Sequence, residues 1–155
     1  MNYKQKSVMF FATGCFIGNI PFAPGTFGSI PGLAFCFLLS KIEFALAVVL
    51  TILFIFFAIW MAHKAEIILK AEDPGCIVID EMAGMVVTLI GLPLNMISVL
   101  AGFLIFRILD IIKPYPIRWL ERKLSGGIGI VMDDIAAGIL GNIILRISFG
   151  LFKNL

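Results

Sequence analysis

The chain has 155 residues, of which 61% are hydrophobic and 14% charged, with a net charge of +2 and a mean hydropathy of +1.08. Soluble domains lie nearer half apolar and a quarter charged, so this surplus excludes a small water-soluble core and points to helices in a bilayer. The slight positive charge forms no basic stripe, which excludes nucleic acid as a partner.

In chain order, Lys4 and Lys6 precede an apolar stretch, Val8 to Ala12, that is too short for a signal sequence, so the N-terminus reads as mature protein. Five apolar runs then follow between charges and turn residues, and predict about five membrane-embedded helices in one domain spanning 1–155. They cover Gly28–Ser40, Phe44–Ala62, Cys76–Leu92, Met96–Ile112 and Met132–Phe152. The first is short and contains Pro31, which suits a re-entrant or tilted segment. The second is unbroken by charge, glycine or proline and approaches the ~20 residues that a spanning helix needs. The fold class expected is therefore all-α, a polytopic helical membrane protein.

Basic residues orient these spans. With the N-terminus inside, Lys4, Lys6, Lys64, Lys70, Lys113, Arg118, Arg122 and Lys123 fall on the cytoplasmic side, and only Lys41 and Lys153 fall opposite. Arg107 and Arg146 lie within spans. That topology, drawn without the acids, gathers them at the cytoplasmic face. Asp80 and Glu81 stand near the start of the third span, Asp110 near the end of the fourth, and Asp133 and Asp134 open the fifth. Ionisable groups at membrane depth are costly and mark functional sites by default.

Each acid also has a plain structural reading. Asp133 and Asp134 could cap a helix N-terminus, and Asp80 and Glu81 could do so in part. Asp110 sits at a C-terminal end, where its structural role would be a salt bridge to Arg107 or Lys113, each three residues away. Jointly, five carboxylates near one plane repel one another, and a bound cation beside Lys and Arg is the simplest compensation. Carboxylates without a His/Cys set suit Mg²⁺ or Mn²⁺. The lone His63 reads as an interfacial residue, and Cys15, Cys36 and Cys76 have no metal or disulfide spacing. Acids, Mg²⁺ and basic residues together suit phosphoryl chemistry.

Two loops extend the pattern. Pro21 to Ser29 (PFAPGTFGS) leads into the first span with prolines, glycines and the hydroxyls of Thr26 and Ser29, so it could present N–H groups to an anion. Lys113 to Trp119 (KPYPIRW) follows Asp110 and combines an interfacial anchor with phosphate-gripping charge. Gly126-Gly127-Ile128-Gly129 reads as a flexible approach to Asp133.

These stretches resemble the phosphatidylglycerophosphatase A family of bacterial Mg²⁺-dependent lipid phosphatases. The matching segments are Pro21–Ser29, Asp73–Gly84 (DPGCIVIDEMAG), Phe106–Trp119 (FRILDIIKPYPIRW) and Gly126–Gly138 (GGIGIVMDDIAAG). The resemblance implies removal of phosphate from phosphatidylglycerophosphate at the cytoplasmic face of the inner membrane. It implies that Asp80, Glu81, Asp110, Asp133 and Asp134 belong to the family's acidic motifs, with Asp80, Glu81, Asp133 and Asp134 catalytic and all five available to Mg²⁺. Asp73 and Ser29 fall within its segments. Phosphate would be held by Thr26, Lys113, Arg118 and Arg107. Two rivals are a Mg²⁺-dependent headgroup transferase, whose D-G-x2-A-R signature is missing, and a small cation carrier, which would spread its acids through the membrane. No feature of the sequence specifies an oligomeric state.

Overall fold

The structure is a computed structural model that describes residues 1–152, and Lys153, assigned above to the outer side, lies outside the described residues. The described residues form seven α-helices and one short 3-10 turn, with no strand among them. The helices are α1 (Tyr3–Ala12), α2 (Pro24–Leu39), α3 (Phe44–Leu69), α4 (Ile79–Leu89), α5 (Met96–Ile112), α6 (Ile117–Lys123) and α7 (Gly126–Phe152).

The all-helical expectation is met, but the five predicted spans are not. Among the described residues, only α3 and α7 are long and apolar enough to cross a membrane. At 1.5 Å per residue, α4 is about 16 Å long, roughly half a hydrocarbon core. It starts at Ile79 rather than Cys76, which puts Asp80 and Glu81 in its first turn. In α2, Pro24 occupies the first turn, where its missing N–H costs nothing, and the helix therefore begins before Gly28. Helices α1 and α6, of 10 and 7 residues, are too short to span a bilayer. The first is closed by a capping box, with Asn2 accepting from the Gln5 N–H at 2.9 Å and Gln5 accepting from the Asn2 N–H at 3.0 Å.

The largest revision concerns α7, which starts at Gly126 and not at Met132. The glycine run is helical, and its glycines serve close packing. A Cβ on Gly127 would collide with the Ile59 carbonyl oxygen and come within 2.6 Å of the His63 nitrogen, so only glycine allows α7 to cross α3 here. Asp133 and Asp134 consequently lie two turns inside α7 and cannot cap it.

Helix α4 is the axis of the molecule. All of it except Glu81 and Met82 is buried, with α2, α3, α5 and α7 around it. A Cβ on Gly138 would lie 2.5 Å from the Gly84 carbonyl oxygen, so the α4–α7 backbones touch. In lipid such packing and polar satisfaction hold helices together, because apolar burial alone gains little there. The far end of α4 is secured by side chains of α7. The Asn142 amide donates to the Thr88 and Ile90 carbonyls at 2.9 and 3.1 Å, and Arg146 donates to Ile90 at 3.1 Å. Outward faces are apolar on α3 (Ile52, Leu53, Phe56), α5 (Leu100, Leu104, Ile108) and α7 (Ile139, Ile143, Ile147).

Candidate active site

Helices α2, α4 and α7 run away from one end of the bundle, and α3 and α5 run toward it. This antiparallel weave brings the start of α2, the first turn of α4, the last turns of α5 and the third turn of α7 together. Asp80, Glu81 and Asp134 converge there, with one oxygen of each within 4.8 Å of the others. Asp80 and Asp134 are buried, at 8% and 3% exposure. Asp80 Oδ1, Glu81 Oε2 and Asp134 Oδ2 are enclosed with no hydrogen-bond partner among the described residues. Partnerless buried carboxylate oxygens are expensive, and three carboxylates clustered this closely fit a hard, oxygen-seeking cation of the Mg²⁺ type.

The other two acids of the plane are paired. Asp110 Oδ2 accepts from Arg107 Nη1 at 2.6 Å, the i,i+3 pairing open to it from the sequence. Asp133 Oδ2 accepts from Lys113 Nζ at 2.6 Å, and Lys113 also reaches Glu121 Oε1 at 2.8 Å. Burial opposes charge on Lys113, but the hydrogen bonds to Asp133 and Glu121 outweigh it and hold the ammonium above the usual lysine range. Lys113 itself has a left-handed backbone (φ 47°) where α5 ends, which turns its side chain from α5 toward α6 and α7. Asp110 remains within electrostatic reach of Glu81, Asp133 and Asp134.

The start of α2 closes the site from the other side. A Cβ on Gly25 would collide with Glu81 Oε1 and stand 3.1 Å from both terminal nitrogens of Arg107. Gly25, which the sequence did not single out, is thus where the α2 backbone meets an acid and a base. Arg107 Nε is also enclosed without a partner among the described residues. The N–H groups of Thr26 and Phe27 turn back to the Ala23 carbonyl at 3.0 and 3.3 Å, closing the first turn of α2 on itself.

The remaining predicted residues stand further out. Ser29 is fully buried and donates to the Gly25 carbonyl at 2.9 Å, bracing that turn. Arg118 is exposed and donates to the Ile112 carbonyl at 2.9 Å, capping the end of α5. Asp73 lies in the α3–α4 loop, where its N–H donates to Glu66 Oε1 at 3.2 Å. Burial pushes its carboxyl above the usual range against the pull of Lys113. Glu121, the second partner of Lys113, was not foreseen either, because the α5–α6 turn alone brings it within reach.

Comparison with known proteins follows the same residues. The family model described as Phosphatidylglycerophosphatase A matches residues 10–149. Phosphatidylglycerophosphatase A of Escherichia coli K12 is 42% identical over 130 residues, covering 83% of this chain and 76% of that protein. A putative phosphatidylinositol-3-phosphatase of Bacteroides thetaiotaomicron is 40% identical over 144 residues, covering 88% and 89%. Phosphatidylglycerophosphatase A of Haemophilus influenzae is 36% identical over 136 residues, covering 86% and 83%. No solved structure matches. A match to the family model over nearly the whole chain, through all four acid- and loop-bearing segments, places this chain in the phosphatidylglycerophosphatase A family.

Proposed function

We propose that the chain hydrolyses the terminal phosphomonoester of phosphatidylglycerophosphate to leave phosphatidylglycerol, with Asp80, Glu81 and Asp134 as the centre of the site. The observation that carries this reading is the set of three converging, partnerless carboxylates beside Arg107 and the start of α2. These three would hold Mg²⁺, which when bound neutralises phosphoryl charge. Arg107 and the first turn of α2 at Gly25 border these acids and would supply donors for phosphate oxygens, with Thr26 beside them. Lys113 acts through Asp133, holding that carboxylate at the rim of the site, and Asp110 holds Arg107. In this assignment Arg118 and Ser29 support the helices that carry the site.

In the bilayer, α3 and α7 span, and α2 and α5 complete a ring of embedded helices around α4. The acidic end and the N-terminus face the cytoplasm of a bacterial inner membrane, as the basic residues favour. The lipid tails stay among the outward apolar faces while the headgroup enters from the interface. The likeness to a protein named as a phosphatidylinositol-3-phosphatase supports a second substrate reading with the same chemistry on another lipid headgroup.

Purified protein is assayed for phosphate release from both lipids, before and after chelation and with Mg²⁺ restored. The expected result is release from phosphatidylglycerophosphate that stops on chelation, returns with Mg²⁺, and falls by at least two orders of magnitude in Asp134→Asn. Turnover that survives chelation would overturn the metal assignment. Release from the inositol lipid alone would overturn the substrate.

A further inference from the structure

On the side of the bundle away from the carboxylates, α1 lies along α3 and leaves an open groove of about 580 Å³ between them. Its wall is apolar and aromatic: Val8 and Phe11 from α1, and Phe57, Trp60 and Ile68 from α3. Phe11 packs edge-on to Phe57 with centroids 5.5 Å apart, and Phe57 packs on Trp60 at 6.4 Å. Lys4 and Lys64 also line this groove, and neither has an acidic partner among the described residues. The groove therefore pairs a greasy channel with two uncompensated positive charges. It opens at the acidic end of the bundle, since His63, next to Lys64, packs on the first turn of α7.

We propose that this groove is a binding site for a phospholipid with an anionic headgroup, distinct from the site of hydrolysis. One acyl chain lies on Phe11, Phe57 and Trp60, and the headgroup sits between Lys4 and Lys64. The charge favours an anionic over a zwitterionic lipid, because basic residues at this depth draw anionic headgroups. Trp60 is 56% exposed, and an indole at that height is suited to the headgroup boundary. The occupant would also bear on the catalytic end. The Val78 N–H donates to the Ala12 carbonyl at 2.9 Å, so α1 is hydrogen-bonded to the chain two residues before Asp80. A lipid that clamps α1 onto α3 steadies the start of α4.

The chain has two tryptophans, so Trp119→Phe leaves Trp60 as the only indole. That full-length variant is placed in phosphatidylcholine nanodiscs doped with phosphatidylserine or phosphatidylcholine carrying brominated acyl chains, and Trp60 quenching is followed against mole fraction. Brominated phosphatidylserine is expected to quench at the lower mole fraction, with a preference that added salt weakens. Lys4→Gln with Lys64→Gln is expected to reduce that preference by roughly tenfold while phosphate release persists. Equal quenching by the two lipids, or a preference that salt leaves unchanged, would overturn the proposal. So would a preference intact in the double variant, or protection of Trp60 that rises with protein-to-lipid ratio, which would give the groove to a second copy.

Discussion

Replacing Gly25 by alanine tests the geometry of the site with a single methyl. The added Cβ collides with Glu81 Oε1 and reaches 3.1 Å from both terminal nitrogens of Arg107. The α2 backbone is fixed by Pro24 and by the Ser29 hydroxyl, so the carboxylate has to move, by about an ångström. A displacement of that size at reacting groups costs on the order of 100-fold in rate. Stability should change far less, because alanine favours a helix over glycine by about 1 kcal/mol, against about 1–3 kcal/mol for overpacking. The expected result is phosphate release lowered about 100-fold, a higher Mg²⁺ concentration for half-maximal rate, and a melting temperature within a few degrees of the parent. Gly75→Ala is the control, since a Cβ there meets nothing within 4 Å. A G25A protein with parental rate and metal requirement would refute the placing of Glu81 and Arg107 at the reaction centre.

Two further outcomes follow from the supporting contacts. Asn142→Ala removes the side-chain donor to the Thr88 carbonyl and leaves Ile90 with Arg146 alone at the far end of α4, and should lower unfolding stability in detergent by about 1–3 kcal/mol while turnover at low temperature persists. Lys113 gains its raised ammonium pKa in the folded state, so its stabilisation is complete below the ordinary lysine value of 10.5 and is lost as pH rises through the higher folded value. Melting curves should fall above about pH 10.5 in the parent, and Lys113→Met should start lower and lack that alkaline loss.

The plane of acids was legible because charge is conspicuous in an apolar chain, and the alternation of spans sorts it to one face. The pairing of Asp110 with Arg107 was legible too, since helix periodicity alone brings residues three apart together. The division of the five acids was not. It depends on where Lys113 points, and that follows from a left-handed residue at the end of α5 and from Glu121 across a turn. The start of α7 was misread because Gly126 to Gly129 carries the composition of a loop. Those glycines answer to the α3 backbone, a neighbour distant in sequence. Gly25 was hidden for the same reason. Span counting also presumed that an apolar helix must meet lipid, whereas α4 is apolar because it is sheathed in protein, and such a helix has no need to match the bilayer's thickness.

The short α4 and the late position of Asp133 and Asp134 in α7 together set a height. Seven residues of α7 precede Asp133, which recesses the carboxylates about 10 Å below the helix end. A water-soluble phosphate ester would have to surrender its hydration to descend that far, with only its phosphate to hold it there. A lipid arrives already suspended at that level by its own tails. With the acidic end at the interface as proposed, selection for membrane-borne esters would follow from the depth of the floor, before any side chain reads the headgroup.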